Sequence, residues 1–356
     1  MRVFRKLLFI LAAVAVLAGA GTGLWAWQGL QTLNQPVALD EPMLFSVEPG
    51  TSFNGVAHEL ASKGMLADPL WLRLYGRLNP EQTRIKAGDY ELVPGMTPLA
   101  VVETMVEGRV KLWAVQFIEG WTFADMRAAL AGADQLKRVT TDWTDEQVMD
   151  AVGASGQHPE GWFFPDTYMF SGSETDLDIL KRAYRRMVSV LEEEWADRAE
   201  GLPYDTPYEA LIMASIVERE TGVPYERQQV AGVFVRRLHK GMRLQTDPTI
   251  IYGMGDKYDG RIRTRDLRAY TPYNTYRIDG LPPTPIALPG RDSVHAALHP
   301  DDGDALFFVA RGDGSHKFSR TLAEHQKAVR EFQLNRKEGY RSSPAPQVEP
   351  DNGGDN

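Results

Sequence analysis

Leu211-Ile-Met-Ala-Ser-Ile-Val-Glu-Arg-Glu-Thr221 is an apolar helix that ends in carboxylates, and its reading decides what surrounds it. Thr206 is placed to cap, Pro207 suits the first helical position, and Glu209 completes a Thr-x-x-Glu capping box. From Leu211 to Val217 nearly every side chain is apolar or small, which predicts a helix buried on most sides. Gly222 and Pro224 stop it. Glu218 therefore falls in the last turn, where the negative end of the helix dipole and partial desolvation disfavour an ionised carboxylate. A carboxyl kept protonated near neutral pH is what a general acid requires. The competing reading is a solvated ion pair of Glu218 with Arg219 or Arg227. Three downstream segments favour a site: Gly241–Gly253 (GMRLQTDPTIIYG), Thr271–Gly280 (TPYNTYRIDG) and Gly280–Gly290 (GLPPTPIALPG). They are rich in polar, aromatic, Pro and Gly residues and read as site-forming loops.

The 356 residues allow two or more domains, and the formal net charge of -9 with no long Lys/Arg run excludes nucleic acid as an expected partner. Without cysteine there is no disulfide, thiol nucleophile or Cys-ligated metal. Arg2, Arg5 and Lys6 precede the uncharged run 7–27, which would span roughly 30 Å as a helix. Positive charge on that side alone predicts a cytoplasmic N-terminus, residues 1–6, with the bulk of the chain exported. A cleaved signal peptide with Ala18-Gly19-Ala20 as its site is the alternative. Because apolar sequence continues to Trp27, a retained transmembrane anchor is the expectation.

Residues 28–42 read as a linker. A short motif then recurs: Pro49-Gly50 before Ser52 and the helical pattern of Val56 and Leu60; Pro94-Gly95 before Thr97 and Leu99, Val102, Met105; Glu119-Gly120 before Thr122 and Met126, Leu130. Each is a strand-like run, a turn, a hydroxyl cap and an amphipathic helix. Two such units around 70–78 suggest a small α+β domain over 43–113. A larger α+β domain over 114–337 would include helices over 176–198 and 224–240 and a strand at 305–310. The Pro/Gly/Asp/Asn-rich stretch 338–356 is expected to be a disordered tail.

Among chemistry-bearing residues, Glu220 lies two positions from Glu218 and so faces elsewhere. Asp247 is the better candidate for a second carboxylate, although Thr246-Asp247-Pro248 also suits a turn. Gln245, Tyr252, Tyr273, Asn274 and Tyr276 are able to stack on and hydrogen-bond a sugar ring, and Tyr168 closes an aromatic cluster starting at Gly161. The seven histidines are read as showing no His-x-x-x-His or comparable metal spacing, so no metal site and no cofactor is expected. Ser215, inside the apolar helix, is read as bonding the preceding turn rather than as a nucleophile.

Taken in order, Glu160–Tyr168 (EGWFFPDTY), Ala214–Thr221 (ASIVERET), Met242–Thr249 (MRLQTDPT), Pro272–Tyr276 (PYNTY), Gly280–Pro283 (GLPP), Ala287–Gly290 (ALPG), Leu298–Pro300 (LHP) and Phe307–Ala310 (FFVA) give the chain a resemblance to the MltG (YceG-like) family of membrane-anchored endolytic murein transglycosylases. The resemblance implies an inner-membrane anchor, a LysM-like subdomain and an α+β catalytic domain in the periplasm, acting on peptidoglycan strands beside cell-wall synthases. It places the family's catalytic glutamate on Glu218. It implies cleavage of the MurNAc-GlcNAc β-1,4 bond to a 1,6-anhydro end, with Gln245, Asp247, Tyr273 and Asn274 positioning the sugar. The rival readings are a membrane-tethered glycan-binding scaffold and a hydrolytic muramidase that pairs Glu218 with Asp247.

Overall fold

The structure, a computed structural model, describes residues 2–334; the tail expected over 338–356 lies outside the described residues. The fold is mixed, with small antiparallel and two-stranded sheets among many helices, as the α+β expectation required. The chain divides into two compact units. One holds the residues up to Trp113 with Gln135–Lys137 and Met169–Glu174, and the remaining described residues make the other.

In the first unit the elements run α1 (Arg2–Thr32), β1 (Met43–Val47), α2 (Phe53–Ser62), α3 (Pro69–Leu78), β2 (Gly88–Leu92) and α4 (Pro98–Glu107). Strands β1 and β2 pair antiparallel, from Met43 opposite Leu92 to Val47 opposite Gly88. Alternate residues Phe45, Val47, Tyr90 and Leu92 point into a core shared with Val56, Leu60, Leu72, Val101 and Met105. Within α1, Phe4–Thr32 is a 29-residue stretch long and apolar enough to cross a membrane, which fits a single-pass anchor. The segment 28–42, read as a linker, is tied down instead. Helix α1 runs on to Thr32, Leu33 and Val37 are buried, and the Val37 amide donates to the Met96 carbonyl (2.7 Å). Gly29 makes this possible, because a Cβ there would collide with the Trp71 ring.

The second unit continues with β3 (Trp113–Gln116, its first residue still in the first unit), α5 (Phe123–Gly132), α6 (Asp145–Val152), β4 (Thr167–Phe170), α7 (Asp176–Ala196), α8 (Pro207–Glu220), α9 (Arg227–His239), α10 (Asp247–Met254), α11 (Thr264–Arg268), α12 (Arg291–Leu298), β5 (Phe307–Ala310), β6 (His316–Ser319) and α13 (Leu322–Val329). Strand β3 pairs with β4, whose last two residues, Met169 and Phe170, belong to the first unit, and β5 pairs antiparallel with β6. Helix α8 is the axis of the larger core. Thr206 and Glu209 form the capping box, and every residue from Ala210 to Val217 is buried. Leu211, Ile212, Met213, Ile216 and Val217 each contribute roughly 1.5–3 kcal/mol of apolar burial. Helices α7, α9, α10 and α12 pack around it.

All three copies of the recurring motif take the expected form. Gly50, Gly95 and Gly120 adopt φ of 87°, 90° and 80°, and Ser52, Thr97 and Thr122 cap the helices that follow. Two segments differ from expectation. Residues 241–253 are not all loop, since Pro248 sits at the start of α10 and Ile250 packs inward. Residues 280–290 do lack regular structure, yet Thr284 to Gly290 are all buried.

Glycines 156 and 161 separate two costs. Both have positive φ, 79° and 83°; a Cβ on Gly156 meets nothing within 4 Å, whereas one on Gly161 would lie 2.6 Å from the Pro285 Cβ. Gly156→Ala should lower stability by about 1 kcal/mol, and Gly161→Ala by about 2–4 kcal/mol. Thermal unfolding followed by near-UV circular dichroism checks the order; equal shifts would contradict it.

Candidate active site

A buried irregular segment must find partners for its backbone polar groups, and 284–290 finds them on α8 and on the turn 119–121. The Ser215 hydroxyl donates to the Ile212 carbonyl (2.7 Å), as expected, and also accepts from the Ile286 amide (3.0 Å). Leu288 exchanges backbone bonds with the turn: its amide donates to Trp121 (2.7 Å) and its carbonyl accepts from Gly120 (2.9 Å). One helical turn beyond Ser215, Glu218 Oε2 accepts from the Gly290 amide (2.9 Å). Glu218 is half-buried at the helix end, and Arg219 beside it donates to the Gly120 carbonyl (2.8 Å).

The carboxylate that neighbours Glu218 is Glu119. Burial raises the Glu119 pKa, the Glu218 charge raises it further, and Arg227 at 3.7 Å opposes them. Gly290 lies against it: a Cβ there would strike the Glu119 carboxylate. Asp247, weighed from the sequence as a second carboxylate, belongs to another group. It is exposed, accepts from the Tyr276 hydroxyl (2.8 Å) and lies beside Glu220, whose carboxyl receives the Thr246 hydroxyl. Glu220 does face away from Glu218, as the two-residue spacing requires.

Glu160 forms a third carboxyl centre. It is 3 % exposed, its Oε1 accepts from the Phe123 amide (3.0 Å) and its Oε2 from the Tyr252 hydroxyl (3.1 Å). Burial outweighs these bonds and pushes it up to about 7. Two chain segments connect it to Glu218. The turn 119–123 carries Glu119 at one end and the Phe123 amide at the other, and 285–290 runs from Pro285 against Gly161 to the Gly290 amide.

Of the other residues singled out from sequence, Tyr252 and Tyr273 meet edge to face, with ring centroids 5.0 Å apart, and Tyr273 shares a hydrogen bond with Thr284 (2.9 Å). They are thereby joined to Glu160 and to the buried segment. Gln245 is exposed and, among the described residues, is the non-glycine with positive φ (52°), a strain that collects at functional sites. Asn274 is 1 % exposed; its amide donates to the carbonyls of Asp266, Leu267 and Ala269, and its oxygen accepts from Tyr276. Tyr168 is buried with its hydroxyl on the Phe164 carbonyl (2.7 Å). Both are thus engaged inside the fold. Glu119 and Glu160 escape the sequence reading as acids; each stands directly before a positive-φ glycine, the one local mark they carry. The reading that no His-x-x-x-His spacing is present needs correction, because His295 on α12 and His299, its C-cap, are four residues apart and approach Glu194.

Fold and site together define a chain with carboxyls and aromatics gathered around a buried helix end. Residues 45–331 match the YceG-like family, to which the chain belongs. It is similar to a Bacillus subtilis protein named endolytic murein transglycosylase, with 30% identity over 322 residues that cover 85% of this chain and 88% of that one. A Streptococcus pneumoniae protein of the same name is 30% identical over 80% of this chain, which spans 57% of the pneumococcal protein. The crystal structure of a YceG-like protein from Listeria monocytogenes superposes with a TM-score of 0.50 at 29% identity, over 81% of this chain and 99% of that one.

Two carboxyls, buried Glu160 and half-buried Glu220, are each raised from 4.5 to about 7 by desolvation. The folded state then holds protons that the unfolded state has released, so the stability these two groups contribute is fully present below pH 4.5 and is lost as pH rises through about 7. For one such group the loss is about 3 kcal/mol. Glu160→Gln with Glu220→Gln should flatten the dependence of the unfolding temperature on pH between 5 and 8 (roughly the window set by those shifts). An unchanged slope would rule out these two groups as its source.

Proposed function

We propose that this chain is an endolytic lytic transglycosylase that cuts the MurNAc-GlcNAc β-1,4 bond of nascent peptidoglycan strands and leaves 1,6-anhydroMurNAc ends. The observation that carries the proposal is the position of Glu218: one carboxylate oxygen is held by the Gly290 amide at the end of a buried helix, in a chain of the YceG-like family. Family relatives that bear the name endolytic murein transglycosylase support the reaction class.

In this reading Glu218 Oε1 carries the proton to the leaving glycosidic oxygen while Gly290 keeps Oε2 in place. The muramic acid's own 6-hydroxyl then attacks the anomeric carbon, and the Glu218 carboxylate takes its proton. One carboxyl acts in both steps, and the attack is intramolecular, with the rate advantage of a nucleophile already in place. Tyr252 and Tyr273 offer a face for sugar stacking, and exposed Gln245 and Asp247 offer polar groups for the N-acetyl substituents. Tyr276 positions Asp247 through its hydroxyl. The N-terminal helix would hold the second unit at the periplasmic face of the inner membrane, where nascent strands emerge near cell-wall synthases. The first unit would serve as the LysM-like subdomain. Cutting strands internally at that position would limit their length.

Glu119 favours a second reading, hydrolysis of the same bond. A hydrolase needs a second carboxyl to activate water or attack the sugar, and Glu119 is the neighbour of Glu218. The two readings separate on variants of the full chain in detergent, assayed on purified glycan strands. Glu218→Gln should reduce cleavage roughly a hundred- to ten-thousandfold with an unchanged circular dichroism spectrum. Glu119→Gln should change it by less than about tenfold if Glu218 acts alone. Comparable losses in both variants would support the hydrolase, and retained cleavage in Glu218→Gln would refute both.

A further inference from the structure

Helices α7 and α12 bring together a cluster that takes no part in the proposed chemistry. One ligand atom from each of Glu194, His295 and His299 lies within 4.8 Å of the other two. His295 lies on α12 and His299 caps its C-terminus four residues on, and their rings stack with centroids 4.2 Å apart and planes 19° apart. Glu194 comes from the facing helix. Its side chain is 9% exposed, its Oε1 is held by Arg291 Nε (2.8 Å), and its Oε2 faces His295 Nδ1 (2.8 Å).

The surroundings of His299 point to a cation. Its Nε2 lies 2.8 Å from the Asp197 carbonyl and its Nδ1 lies 3.3 Å from the His295 carbonyl. The doubly protonated ring satisfies both oxygens, whereas a neutral imidazole carries one N–H and turns a bare lone pair toward the other, a lone pair open to a metal ion. With Nε2–H donated to Asp197, Nδ1 is the nitrogen left to bind an electrophile. A metal-bound histidine keeps this arrangement, with the far nitrogen donating to a backbone carbonyl, and Arg291 orients the carboxylate in the same supporting role. The Arg291 charge is itself offset by Glu193, 2.9 Å from Nη1.

We propose that Glu194, His295 and His299 form a binding site for a divalent late transition metal of the zinc class, with solvent in the fourth position. Two imidazole nitrogens and one carboxylate oxygen select such an ion over magnesium or calcium, which prefer all-oxygen shells. Binding displaces any proton from the two ligating nitrogens to solvent. The metal would clamp α12 to α7. Because α12 begins directly after Gly290, the clamp acts on the helix that follows the amide holding Glu218.

Tag-free full-chain protein in detergent, stripped with a chelator, is dialysed against zinc chloride and then against magnesium chloride, and bound metal is measured by mass spectrometry. One zinc per chain is expected, no magnesium, and an affinity at least about tenfold weaker in His295→Ala, whose ring is half-exposed and leaves the core untouched. Cobalt loaded into unmodified protein should show visible bands of a four-coordinate nitrogen and oxygen site, a readout that needs no variant. Equal zinc uptake by wild type and His295→Ala, or uptake by neither, would overturn the proposal. So would a wild-type cobalt spectrum of the six-coordinate aqua ion. Basal cleavage is expected to be the same in His295→Ala and wild type at saturating zinc.

Discussion

The constraint on which the site depends is a backbone one: a buried segment with no regular structure has to be hydrogen-bonded by something else. Thr284 to Gly290 lie inside the second unit, and the partners of Ile286, Leu288 and Gly290 come from Ser215, the turn 120–121 and Glu218. A buried amide left without an acceptor costs about 1–3 kcal/mol. Glu218 is therefore held by the fold and holds the fold in turn. Its position follows from the close packing of α8, and the same contact restrains the chain leading into α12.

Around that helix end the carboxyls are sorted by environment. Glu119 is exposed and coupled to Glu218, Glu160 is buried against an amide and a phenol, and Glu220 is enclosed with Thr246. Sorting of this kind sets apart carboxyls that burial raises to about 7 from one that also responds to a neighbour's charge. Glu160 and Tyr252 join two parts of the second unit through their hydrogen bond. The Glu218 end is held instead through the Gly290 amide.

What sequence made legible was local. Capping boxes, Pro at a first helical position and glycine turns act within a few residues, and so α8 and the three strand–turn–helix units could be read directly. Ser215 was legible in half of its role; its second bond, to Ile286, joins residues 71 apart in the chain. The partners of Glu160 and the neighbour of Glu218 are likewise products of tertiary packing, for which no spacing rule exists. Residues 241–253 misled because Pro, Gly and Thr mark both loops and helix starts, and Asp247-Pro248 opens α10. Asn274 has the chemistry of a ligand-binding residue, yet its donors and acceptor are used within its own loop. His295 and His299 did show their four-residue spacing, but that spacing gains meaning only when α7 supplies Glu194.

The central claim is that one carboxyl, with the sugar's own hydroxyl as nucleophile, breaks the glycosidic bond without water. Digestion of glycan strands by the full chain in oxygen-18 water, followed by mass spectrometry of the new ends, tests this directly. The account predicts anhydromuramyl ends that carry no label. Reducing ends with one labelled oxygen each would contradict it and transfer the role of second catalytic group to Glu119.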